Sequence, residues 1–268
     1  HTGTLDPNAT GVLPVLLGAA TKAQDLIPDH DKSYTAGFKL GLTTDTLDIW
    51  GKVLSQTETD VSEEQVLSAL ESFRGEIWQL PPMFSAVQKN GQRLYDLARK
   101  GIEVKREKRK VTVYSLDLLE FDRKTQCGKL EVFCSKGTYV RTITDDMGAK
   151  LGVGAVMTGL RRVEACGFSI DDCVTLDKLK ELKEQGELLS ALRSVEGLFS
   201  DYPALYISPM QAKRFSNGGA LDISRTALRE KAPEDKQIFR VCENTAGFLG
   251  LGIVSEEKNQ IIIYKLFK

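Results

Sequence analysis

His1-Thr2-Gly3-Thr4-Leu5-Asp6-Pro7-Asn8-Ala9-Thr10-Gly11-Val12-Leu13-Pro14 opens the chain. The run is dense in small and turn-forming residues. Asp caps its own backbone and Pro fixes φ, so a structural turn is one reading of Asp6. Small neighbours also let a substrate approach the backbone closely, and a carboxylate in such a loop can serve as a nucleophile. Spacing and composition leave both readings open.

Outward from that run, residues 33–40 place Tyr34, Ala36, Phe38 and Leu40 on one face of a strand, with Thr35 and Lys39 on the other. Ser62 with Gln65 is a capping-box signature, and Val66, Leu70 and Phe73 follow at helical spacing before Gly75. Residues 111–121 and 129–134 read as strands, being rich in β-branched and aromatic side chains. Ile143, Met147 and Leu151 lie four apart and end at Gly152, which predicts a helix with a left-handed cap. Thr175 to Gln185 reads as a short amphipathic helix with Leu176, Leu179 and Leu182 apolar. Beyond Pro203 come short strand-like pieces broken by Gly218-Gly219 and Pro233, the texture of a small β-rich domain. The whole reads as an α+β body followed by that domain.

Composition excludes several classes. The 268 residues are 41% hydrophobic and 27% charged, ordinary for a folded protein with a sizeable core. No apolar stretch approaches the roughly 20 residues that cross a bilayer, so a cytoplasmic protein without a membrane partner is expected. Five cysteines form no C-x-x-C pair and the only histidines are His1 and His30, so buried free thiols and no metal site are expected. Thirty-six Lys+Arg against thirty-seven Asp+Glu leave a net charge of −1. The distribution is uneven. Residues 99–110 hold seven basic and two acidic side chains, whereas 41–80 hold eight acids against Lys52 and Arg74. Such a chain can bind a polyanion on one face while neutral overall; a solvated, charge-rich hairpin is the other reading.

The opening run resembles the signature of the TruB family of pseudouridine synthases. The likeness continues in order through Gly18-Ala19-Ala20-Thr21-Lys22, Lys32-Ser33-Tyr34, Gly41-Leu42-Thr43-Thr44-Asp45-Thr46-Leu47-Asp48 and Pro81-Pro82-Met83-Phe84-Ser85-Ala86-Val87-Gln88-Lys89. It extends through Gly91, Leu94-Tyr95-Asp96-Leu97-Ala98-Arg99, Lys100-Gly101, Ser135-Lys136-Gly137-Thr138-Tyr139-Val140-Arg141-Thr142-Ile143 and Leu160-Arg161-Arg162. The resemblance implies a pseudouridine synthase catalytic domain over 1–200, with a mixed, mostly antiparallel central sheet flanked by helices. It also implies a thumb-like RNA-binding insertion at about 84–104 and, more weakly, a PUA-like RNA-binding domain over 203–268.

The same resemblance implies a tRNA T-stem-loop as substrate, uridine-55 as the target, no cofactor, and a monomer without an obligate protein partner. Asp6 is then the catalytic carboxylate and Arg141 the cation that keeps it ionised. Tyr34 stacks on the uracil and assists proton removal from the base. Tyr139 and Leu160 wall the base pocket, and His1 fills the space of the flipped nucleotide. The basic run makes Lys105 and Arg106 the expected RNA contacts. Each has a plainer reading: core aromatics for Tyr34 and Tyr139, an exposed helix start for Arg141, core for Leu160.

Two departures stand against the family pattern. Members normally carry a few dozen residues ahead of this run, including a sheet strand, so the sequence is expected to be a fragment or to leave a sheet edge exposed. Phe84 stands where a tyrosine is usual. Three other functions stay open: a non-catalytic tRNA-binding chaperone with this fold, a guide-RNA-dependent synthase, and a glycosidase pairing Asp6 with Asp45 or Asp48, which needs two convergent acids.

Overall fold

A computed structural model describes residues 1–28 and 30–267. Its contacts divide the chain into two units, one of Thr2–Pro14 with 29–173 and one of His1, Val15–Pro28 and Val174 onward.

The first unit is built on the strand expected around Tyr34. Lys32–Leu40 alternates so that Tyr34, Ala36, Phe38 and Leu40 are buried. It pairs antiparallel with Ala155–Ala165 on one side and with Cys127–Cys134 on the other. Arg109–Asp122 and then Gly75–Gln79 extend the sheet antiparallel, while Thr10–Gly11 joins Ala155–Ala165 in parallel at the opposite end. The sheet is therefore mixed and mostly antiparallel. Its inner face packs on two helices, Glu63–Leu70 through Val66, Ala69 and Leu70, and Val140–Leu151 through Val140, Ile143 and Met147.

Local signals explain both helices. Ser62 and Gln65 form the expected reciprocal capping box, and Gly152 closes the second helix at φ 75°. Phe73 falls in a short 3₁₀ turn beyond the first helix. The 84–104 segment contains a small hairpin, Gln88–Lys89 with Gln92–Arg93, and the helix Leu94–Arg99.

The second unit carries a five-stranded sheet, Ala204–Tyr206, Ile238–Glu243, Gly247–Ser255, Gln260–Leu266 and Leu221–Asp222 in spatial order. This is the expected small β-rich domain. It also holds the helix Pro209–Ser216, absent from the sequence reading although Ser208 and Gln211 form a capping box with Pro at its start. Phe199 anchors an aromatic cluster with Tyr202, Phe248 and Phe267.

Two expectations need correction. Leu176–Glu184 is helical from its Thr175 cap, but only Leu182 is buried, and Leu176 is 78% exposed. All five cysteines are free, yet Cys173 is exposed and Cys127 half-buried, because both lie at strand or turn ends rather than on the inner face of a sheet. No helix among the described residues is long and apolar enough to cross a membrane.

Candidate active site

Three segments of the first unit meet at the guanidinium of Arg141: the loop of Asp6, the turn of Thr46 and Asp48, and the stretch at Phe84. Arg141 is the second residue of Val140–Leu151, so its direction is set by how that helix begins. Tyr139, the N-cap, has no side-chain cap of its own. Instead Gln79, 1% exposed, accepts from the Tyr139 N–H at 2.9 Å and donates to the Tyr139 carbonyl at 3.1 Å. A carboxamide that satisfies both backbone groups of one residue acts like a short piece of partner strand.

Arg141 is 5% exposed, which rules out an exposed helix start. Its Nε and Nη2 each lie 2.9 Å from an oxygen of Asp6, a two-point fork on the carboxylate. Nη2 also donates to the Phe84 carbonyl at 3.0 Å and Nη1 to the Thr46 carbonyl at 3.1 Å. On the remaining side Nη1 lies 3.7 Å from Asp48 Oδ2. Only the backbone carbonyl of Phe84 is used, so a phenylalanine serves this contact as well as a tyrosine.

Asp6 sits just before a turn, with the Ala9 N–H donating to its carbonyl, and the turn leaves its carboxylate to Arg141. Burial pushes the Asp6 carboxyl above the usual range; Arg141 opposes this and the nearby Asp48 charge adds to it. Arg141 therefore limits the rise and does not reverse it.

Asp48 was legible only as one of two alternative acids. The turn after Leu42–Thr44 docks on Ala155–Ala165, since Ile49 N–H donates to the Met157 carbonyl and Met157 N–H to the Leu47 carbonyl. Thr46 Oγ1 donates to Asp48 Oδ1 at 2.7 Å and the Trp50 N–H to the same oxygen at 3.2 Å. Its second oxygen is left for Arg141. Asp45 instead accepts from the Lys52 N–H and is a turn residue.

The other expected residues divide by position. Tyr34 is 7% exposed and belongs to the core cluster; burial pushes its phenol up to about 12, with the nearby Arg162 opposing the rise. Tyr139 is half-buried and Leu160 packs against the same core. His1 is exposed and groups with the second unit. Lys105 is exposed, its carbonyl accepting from Lys89. Arg106 is engaged within the protein, donating to the Pro81 carbonyl at 3.0 Å and pairing with Glu103 at 3.4 Å.

Known proteins bear on this geometry. The family model for the N-terminal domain of TruB family pseudouridylate synthases matches residues 1–140, and that for the tRNA pseudouridylate synthase B C-terminal domain matches 141–200. Curated relatives named tRNA pseudouridine synthase B include one from Clostridium perfringens, 40% identical over 94% of this chain and 84% of its own length. Another, from Escherichia coli O1:K1 / APEC, is 40% identical over 96% of this chain and 82% of its own length. Among solved structures, a chain of a Cbf5-Nop10-Gar1 complex superposes with a TM-score of 0.70 at 25% identity, covering 100% of this chain and 76% of that one. With Asp6 and Arg141 paired inside the matched region, the chain belongs to the TruB family of pseudouridylate synthases.

Proposed function

We propose that this chain isomerises uridine-55 in the T loop of tRNA to pseudouridine, with Asp6 as the catalytic carboxylate. The forked Asp6–Arg141 pair carries the reading, since it presents a partly exposed, oriented carboxylate from a loop of small residues. The curated relatives at about 40% identity act, by their names, on tRNA, which favours that substrate over a guide-RNA-dependent one.

The reaction breaks the N-glycosidic bond, turns the uracil and rejoins it through carbon. The reacting atoms are hidden in a stacked, paired nucleotide, so the base must be flipped into a pocket. Stacking on an aromatic ring such as Tyr34 returns roughly 1–3 kcal/mol per base toward that cost. With its phenol at about 12, Tyr34 is neutral at pH 7 and can offer a proton or a stacking face, but not a ready-made base. Tyr139 and Leu160 complete the proposed pocket wall. Asp6 acts ionised whether it attacks C1′ or C6 of the base or removes the C2′ proton.

The test is tritium release from unmodified tRNA carrying C5-tritiated uridine, with Asp6→Asn beside the parent. Tight tRNA binding without release from the parent would support a chaperone instead. Asp48 gives a pH prediction. Because the Asp48 charge helps raise Asp6, the rate should fall with decreasing pH as Asp6 protonates, and Asp48→Asn should move that acid limb to lower pH. An unmoved limb in the rate-against-pH profile excludes electrostatic coupling of the two acids.

The 84–104 segment is proposed to grip the T-stem. Its helix and hairpin expose Arg93 and Arg99, whose guanidiniums lie 5.8 and 5.4 Å from the centre of the Tyr95 ring. Phosphate contacts are salt-sensitive and position the RNA. Lys105→Glu is expected to weaken tRNA binding and to flatten the dependence of log K on log salt by about one or two charges. Arg106→Glu is a poorer probe, because it also breaks the Pro81 contact. Equal affinity of Lys105→Glu and parent in moderate salt removes Lys105 from the interface.

A further inference from the structure

The bulkiest side chain fully buried among the described residues is a cation, Arg162, 1% exposed. Its Nε donates to the Val12 carbonyl at 2.7 Å and its Nη2 to the Gly3 carbonyl at 3.2 Å. Tyr34 lies directly across the strand pair from it, close enough for the guanidinium to oppose the burial that raises the phenol. The backbone of Arg162 takes part as well: its carbonyl accepts from the Val12 N–H at 2.8 Å. Gly11 makes that approach possible. It has φ +107°, and a Cβ there would lie 2.0 Å from the Arg162 carbonyl oxygen.

One residue thus fastens both ends of the segment 3–12, whose middle carries Asp6. Among the described residues no carboxylate pairs with this guanidinium; it donates to two carbonyls and has a phenol beside it. Burying an arginine against neutral groups is a poor route to stability, because the charge loses its hydration without an opposite charge in return. Stability alone does not account for a cation at this place.

We infer that Arg162 is a positioning residue of the proposed isomerisation: it fixes the loop that carries Asp6 and orients the Tyr34 hydroxyl toward the base. From across the strand pair the guanidinium can offer a donor to the phenol oxygen, which leaves the phenol O–H to donate elsewhere. Loop and hydroxyl are then set by one group, so the carboxylate and the aromatic platform keep their relative placement while the nucleotide enters. The inference rests on the reading of Asp6 and Tyr34 given above.

A double-mutant cycle on the full chain tests it, using Arg162→Met, Arg162→Lys, Tyr34→Phe and the Met/Phe double variant. Single-turnover tritium release, tRNA affinity and thermal melting are measured for each. Arg162→Met is expected to slow the chemical step about 10²-fold, the scale of a small misplacement of reacting groups, at unchanged tRNA affinity. Arg162→Lys should recover part of the rate by restoring charge without the fork. In the Tyr34→Phe background the Met substitution should cost clearly less, because part of what it disrupts is already gone. A parental rate in Arg162→Met overturns the inference, as do losses that multiply in full.

Amide exchange separates this from failure of the functional reading. Arg162→Met, or Arg162→Lys if the former does not fold, should exchange faster in 3–12 but not in Cys127–Cys134. Unchanged exchange in 3–12 overturns the positioning role even if the parent releases no tritium. That silence from the parent would itself refute only the reading of the reaction.

Discussion

Asp6→Asn is expected to lower tritium release by a factor on the order of 10⁴, the scale seen when an enzyme loses a carboxylate that acts as part of a catalytic unit. The substitution keeps shape and volume. It retains an oxygen for one of the two 2.9 Å contacts with Arg141 and removes the charge, so tRNA affinity should hold. Single-turnover assays at saturating enzyme separate the two quantities. A loss confined to affinity, with the single-turnover rate intact, would make Asp6 a binding residue and sink its assignment as the reacting group.

Arg141→Met is expected to act on activity and stability together. It leaves Asp6 and Asp48 near each other in a partly buried site with no cation between them. Breaking a buried ion pair from one side costs about 3–5 kcal/mol, and the partial exposure of Asp6 places this case near the lower end. Denaturant unfolding at neutral pH should report about 3 kcal/mol. The sign with pH follows from the direction of the shift. Without Arg141 the Asp6 carboxyl rises further above its unfolded value, so the penalty belongs to the ionised form. It is present in full above the folded pKa and is relieved as pH falls through it. The stability gap to the parent should therefore narrow in acid, while activity, which needs the ionised carboxylate, falls by about 10²–10³ at neutral pH. A gap that widens in acid would mean that the two carboxylates do not carry the cost.

Much of this architecture was readable because its signals are local. The alternation through Tyr34, Ala36, Phe38 and Leu40, the Ser62–Gln65 box and the glycine closing Val140–Leu151 each lie within a few residues. Pairing Asp6 with Arg141 spans 135 positions and came only through resemblance. Asp48 was legible only as one of two alternative acids, Gln79 and Arg162 had no role at the site, and the reason is common to all three. Each gains its meaning from a tertiary contact: a turn docked on a distant strand, a carboxamide in place of a partner strand, a guanidinium under a loop. Their residue types would read as turn, strand end and surface charge in any short window. Burial of charge was the missing signal, and sequence periodicity reports burial poorly for arginine, whose long stem suits both core and surface. Arg106 shows the converse, since a basic run does not tell which of its members already has an internal partner.

The guanidinium of Arg141 ties together the opening loop, the turn through Thr46 and Asp48, and the entry to the 84–104 segment at Phe84. A knot of that kind couples the local opening of its strands of chain. The segment at Phe84 cannot swing away without giving up a donor that also steadies the carboxylate proposed to react, so opening of that segment and the orientation of Asp6 are coupled.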